Sequence, residues 1–365
     1  MSQDLLVDSI RRAEIAAPMD GFDLTQWLFS LSHGEYRACS NAHLGAAASH
    51  DADGRRISIN VERIGQDVLV QHYQEDQSRE AFCRVKSMTD LVTPHGRTKL
   101  LVTWEVSLHP LAADRCEFAN RIVCHATPEL AAALAAQGVS LADAAAGMQN
   151  LADTHNEEET PLFARNIEDR ILGRAPAVRP SAGLETFGGE IVAQSSCEAV
   201  IDAPMQTIDL AAWVLDLPDA DYQACSADHI AAGLAATPTG QPLSLNVEQP
   251  GSFMVQHYLV AEAGPHHCRL VSPRSDVFSP AGASTLGIDW DLKLTPLDGD
   301  RCLFTNSVVV HATPEFLAGL ATAGVTLDQA SPGVGQRLGA HNADETPKFA
   351  RDIARKVAER QQAVA

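Results

Sequence analysis

The chain has 365 residues, with 47 acidic against 27 basic side chains and a formal charge of −20. No basic stripe offsets that field, which excludes a nucleic-acid backbone as partner. No apolar run approaches the roughly 20 residues of a membrane-spanning helix, and Met1-Ser2-Gln3-Asp4 lacks the basic start and apolar stretch of an export signal, so a cytoplasmic protein is expected.

From the N-terminus, the stretch 13–18 reads as a short strand ended by Pro18. Residues 23–32 then carry Leu24, Trp27, Leu28 and Leu31 at helical spacing. The segment 57–62 alternates strictly, so Ser58, Asn60 and Glu62 share one face of a half-buried strand. Further strands are expected over 68–73, 81–86, 99–108 and 116–125, the last two joined by a turn at Asp114-Arg115. Thr127-Pro128-Glu129 has the form of a helix start: a hydroxyl cap, proline in the first turn and an acid at the positive end of the dipole. The helix should break near Gly138, resume from about Leu141, and start again at Thr160-Pro161.

That order of elements then repeats. Tyr36 returns as Tyr222, 186 residues on, within Tyr36-Arg37-Ala38-Cys39-Ser40 and Tyr222-Gln223-Ala224-Cys225-Ser226. Val70-Gln71-His72-Tyr73 returns as Val255-Gln256-His257-Tyr258, and His155-Asn156 with Glu159-Thr160-Pro161 as His341-Asn342 with Glu345-Thr346-Pro347. A period this long marks a duplicated domain rather than a solenoid. The expected division is 1–175, an exposed Pro/Gly/Ala-rich linker at 176–194, and 195–365, with the two copies pairing as an intramolecular pseudo-dimer. The eight cysteines contain no CxxC, and free, mostly buried thiols are expected.

Meandering strands followed by a long C-terminal helical region imply an antiparallel sheet with helices on one side, an α+β module. Each copy resembles the Bet v 1/START-like helix-grip fold on this order and on its Ala-Pro opening (Ala17-Pro18; Ala203-Pro204). The resemblance implies a curved sheet around a C-terminal helix and a cavity.

His43, Glu62, His155 and Glu159 recur as His229, Glu248, His341 and Glu345. His155 and Glu159 are four apart, which on a helix places both on one face, as two converging metal ligands require. Imidazole and carboxylate suit Zn²⁺, with Mn²⁺ or Fe²⁺ as alternatives. Glu158 and its twin Asp344 are rival ligands. Asn60 and Asn246 share the face of the candidate glutamate and are candidates to steady it by a hydrogen bond. Trp104 and Trp290 are expected in the core.

The set resembles the zinc site of the 2,4-diacetylphloroglucinol and phloretin hydrolases, with His and Glu around the early strands and His-x-x-x-Glu on the last helix. The chain departs from that pattern in its duplication and in the short gap from His43 to Glu62. The resemblance implies a hydrolase that cleaves a carbon–carbon bond of an aryl ketone or related polyphenolic. Tyr36 and Tyr222 would contact substrate, and His125 and His311, at a strand end, would share the catalytic role. His72, Tyr73, His257 and Tyr258 are expected to line the substrate cavity. The alternatives are a metal-free polyketide aromatase/cyclase, a small-molecule or lipid carrier, and one active copy beside a degenerate one.

Overall fold

Alternating apolar and polar side chains commit much of each copy to strand, and the computed structural model, which describes residues 4–279 and 282–364, is richer in strand than the sequence suggests. The chain forms two compact units, Met1–Pro180 and Ser181–Ala365.

The first unit runs β1 (Leu5–Ile15), α1 (Leu24–Phe29), α2 (His33–Ala38), β2 (His43–His50), β3 (Arg56–Ile64), β4 (Asp67–Arg79), β5 (Phe82–Thr93), β6 (Gly96–Ala112), β7 (Arg115–Ala126), α3 (Pro128–Ala136) and α4 (Leu141–Ile171). Its strands lie in the order β1-β7-β6-β5-β4-β3-β2, antiparallel at each pairing. Helix α4 packs along β1 and β7 and also reaches β3, near the other end of that order. A flat sheet could not touch one helix at both ends, so this one curls around it, as in a helix-grip unit. The core between them centres on Trp27, whose ring meets Trp104, Phe118 and Phe163 edge-on, with centroids 5.7–6.5 Å away.

The second unit repeats the plan with β8 (Ile191–Ile201), α5 (Leu210–Leu215), α6 (Asp219–Cys225), β9 (His229–Ala236), β10 (Pro242–Glu248), β11 (Phe253–Ala263), β12 (His267–Ser279), β13 (Gly282–Pro296), β14 (Cys302–Ala312), α7 (Pro314–Thr322) and α8 (Leu327–Val364). Here α8 packs along β8 and β14.

Four expectations change. The helix from residue 24 ends at Phe29, and a new one starts at His33, because Ser32 and Glu35 form a reciprocal capping box. Strand β2, an alanine-rich stretch of low strand propensity, is set by pairing with β3. The 176–194 linker is shorter than expected: β8 begins at Ile191, and Arg179 bonds back to Gly34, Ser40 and Asn41 of its own unit. No helix starts at Thr160-Pro161. Helix α4 runs through Pro161, and the Thr160 hydroxyl donates to the Asn156 carbonyl at 2.6 Å. A proline removes its own N–H and crowds the carbonyl four residues back, and the surrounding core holds this helix in spite of both.

Thr127 caps α3 as expected, and Gly138 breaks the helix at φ +71°. Gly138→Ala is expected to lower the first unit's stability by about 1–2 kcal/mol, measured as an earlier urea midpoint. No disulfide joins the eight cysteines; seven are buried and Cys197 is half-buried. Among the described residues no single helix is long and apolar enough to cross a membrane.

Candidate functional site

Register and helix geometry bring the repeated His and Glu residues together. His43 opens β2 directly opposite Glu62 on β3. His155 and Glu159 project from α4 one turn apart on the face turned toward the sheet. The rings of His43 and His155 lie 5.3 Å apart, and His43 Nε2, His155 Nε2 and Glu159 Oε2 face one another with Glu62 beside them. The four side chains are nearly inaccessible to solvent.

The proton count is informative. His43 Nδ1 sits 2.7 Å from the Tyr36 carbonyl, which only accepts, so Nδ1 carries the hydrogen and Nε2 presents its lone pair. That Nε2 faces Glu159 Oε2 at 3.1 Å and Glu62 Oε1 at 3.9 Å. His155 Nε2 faces Glu159 Oε2 at 3.4 Å and Glu62 Oε2 at 3.8 Å, and it is buried without a hydrogen bond. Inward-facing lone pairs at these distances need either extra protons or a cation between them. Tetrahedral ligands about 2.0–2.2 Å from zinc are roughly 3.3–3.6 Å from one another, close to the separations found. The donor set therefore fits Zn²⁺, or Mn²⁺ and Fe²⁺ with the carboxylates. The second unit repeats it: His229 Nε2 is 3.0 Å from Glu345 and 3.9 Å from Glu248, and His341 Nε2 is 3.3 Å from Glu248 and 3.4 Å from Glu345.

Without a cation, protons take its place. Burial alone would lower the His155 pKa, but the carboxylates of Glu159 and Glu62 outweigh it and raise it to about 9. His341 is raised to about 10 in the same way, by Glu248 and Glu345 against burial.

Neighbours hold the set in place. His43 stacks on Tyr36, centroids 3.9 Å apart and planes 2° off parallel, and the Phe163 ring lies 5.8 Å from it. The Tyr36 hydroxyl donates to Glu62, and Tyr222 donates to Glu248 at 3.1 Å. Burial, then the nearby carboxylate, pushes both phenols well above their ordinary pKa, so they stay protonated donors.

Asn120 on β7 supplies a support that the sequence reading missed. Its amide donates to Glu159 Oε1 at 2.9 Å, while its carbonyl accepts from the Trp104 indole at 2.6 Å. Trp290, Asn306 and Glu345 repeat the chain. The signal was there: Asn120 and Asn306 match across the repeat, each two residues on from a core phenylalanine on its strand.

Other candidates sit elsewhere. Asn60 accepts from Ser58 rather than serving Glu62. Glu158 and Asp344 bond Ser40 and Ser226, whereas Glu159 and Glu345 face the histidines. Strand alternation turns Gln71 and Tyr73, and Gln256 and Tyr258, to the cavities. His72 and His257 point to the opposite face, toward Asp90 at 3.4 Å and Asp276 at 2.9 Å. His125 and His311 miss the cavities for the same reason: Cys124 and Val310 line them instead, and His311 contacts Phe187 and Gly189.

Each cluster closes one end of a cavity. The first, including its open mouth, is about 780 Å³, with Tyr73, Leu91, Val102, Trp104 and Phe163 among its walls. The second, including its open mouth, is about 1960 Å³.

No family model and no curated protein matches the chain. Among solved structures, the di-domain ARO/CYC StfQ from the steffimycin biosynthetic pathway is 13% identical, with 96% of this chain and 99% of that one covered at a TM-score of 0.33. The Zhui aromatase/cyclase from Streptomyces sp. R1128 is 11% identical over 46% of this chain and 98% of its own, at 0.35. A START superfamily protein from Mycobacterium smegmatis is 18% identical over 40% and 98%, at 0.24. StfQ and Zhui are named as aromatase/cyclases, not as carbon–carbon hydrolases, and the expectation of a metal-dependent hydrolase is withdrawn.

Proposed function

We propose that each unit binds a small, largely apolar polyketone and closes it into an aromatic ring by enolisation, aldol addition and loss of water. The observation that supports this is the burial of a His/Glu/Tyr cluster at one end of a largely apolar cavity with aromatic walls, in both copies. A carrier would gain nothing from burying four ionisable groups there.

His43, Glu62, His155 and Glu159 would hold a divalent cation, as would His229, Glu248, His341 and Glu345. Such a cation supplies Lewis acidity toward a substrate carbonyl oxygen. The protein's own groups manage the protons. Glu62 takes a proton from a carbon beside a carbonyl, the Tyr36 hydroxyl protonates the oxygen of the carbonyl that this carbon attacks, and Glu62 returns its proton to Tyr36. The same relay, run once more on the same carbon, expels that oxygen as water and leaves the ring double bond. The apolar walls orient the chain for ring closure and keep bulk water out.

The test is to incubate the full chain with 1-phenylhexane-1,3,5-trione. The expected product is the ring-closed arene, lighter by one water, with the rate reduced at least tenfold by a chelator and restored by Zn²⁺. Acyl cleavage products would contradict ring closure, and binding without turnover would favour a carrier.

A further inference from the structure

The two cavities are lined alike at their closed ends and differently at their mouths. One helical turn before His155, α4 carries Leu151; one turn before His341, α8 carries Arg337. Each lines its cavity and is also exposed to solvent, which places it where the cavity opens. Among the described residues Arg337 has no ion pair or hydrogen bond, although the chain carries 47 carboxylates. Its stem is nonetheless seated: Gly251, at φ +95°, lies so close that a Cβ there would come within 2.4 Å of Arg337 Cδ. The corresponding Gly65 meets Leu151 only at 3.9 Å. The first mouth adds a carboxyl, Asp67, where the second has Ser252. The second cavity also holds Ser284, whose Oγ is buried without a partner.

We infer that the second cavity selects substrates ending in a carboxylate about one helical turn from the reacting carbonyl, while the first takes neutral ones. This rests on the reading of both cavities as sites for small ketones. A guanidinium gives a carboxylate two parallel hydrogen bonds and a full opposite charge. Leu151 and Asp67 offer such a group only an apolar wall and repulsion. The duplicated chain then serves two related substrates, or two forms of one, rather than one substrate twice.

The test is calorimetric titration of the full-length chain with 4-benzoylbutyrate and with its primary amide. The wild type should bind the amide at two sites and the acid at one. Arg337→Leu should weaken the acid at least tenfold and leave the amide within twofold; Arg337→Lys should restore part of the loss, and Leu151→Arg should create a second acid site. Equal weakening of acid and amide by Arg337→Leu, or of neither, overturns the anion assignment alone. Failure of the wild type to bind either compound overturns this inference together with the reading of the cavities.

Discussion

Replacing His155 by alanine is expected to halve the metal bound per chain, from about two ions to about one. His155 Nε2 sits 3.4 and 3.8 Å from the two carboxylates it would share a cation with. Each cluster draws all its members from its own unit, so the second site should be untouched. Losing one of four ligands opens a buried site to water and leaves two carboxylates facing each other without a positive partner. Ring closure at the first site should stop, while the second site keeps its turnover. Elemental analysis beside a product assay checks both. Two ions retained in the His155→Ala variant would remove His155 from the ligand set.

Asn120→Leu should be nearly as damaging, although its side chain lies behind Glu159 and outside the ligand set. The substitution leaves the Trp104 indole N–H and Glu159 Oε1 buried without their partners and takes a donor from the Thr160 hydroxyl. Stranding such groups costs about 1–3 kcal/mol each, and a total near 3 kcal/mol is expected in the first unit. Glu159 also loses the bond that turns Oε2 toward the histidines, so metal affinity should fall about 10- to 100-fold. Urea unfolding and a competitive zinc titration separate the two effects. A variant that is less stable but binds zinc with unchanged affinity would confine Asn120 to a structural part.

These residues show what was legible in the sequence. The pairing of His155 with Glu159 could be read because helix period and i+4 spacing are local. The helix-grip order of elements followed from alternation, caps and turns, all short-range. Glu62 could be placed on a strand face, but its partner across the ladder could not. That depends on β2, whose alanines carry little strand signal, pairing so that His43 falls opposite it. His72 failed on parity: its neighbours Gln71 and Tyr73 face the cavity, and one step along a strand reverses the face. Asn120 was passed over because a lone polar residue on an apolar strand face says nothing until its partner is known, and Glu159 lies 39 residues away. Pro161 read as a helix start because local rules weigh its missing N–H, whereas the core holding α4 is tertiary.

Each unit is expected to hold a divalent cation between two histidines and two glutamates at the end of its cavity. The most direct measurement is anomalous X-ray diffraction from crystals of zinc-loaded full-length protein, with data on both sides of the zinc absorption edge. One peak is expected in each unit, within about 2.0–2.2 Å of His43, Glu62, His155 and Glu159, and of their twins. A map without peaks there, with the histidines bonded directly to the carboxylates, would contradict it.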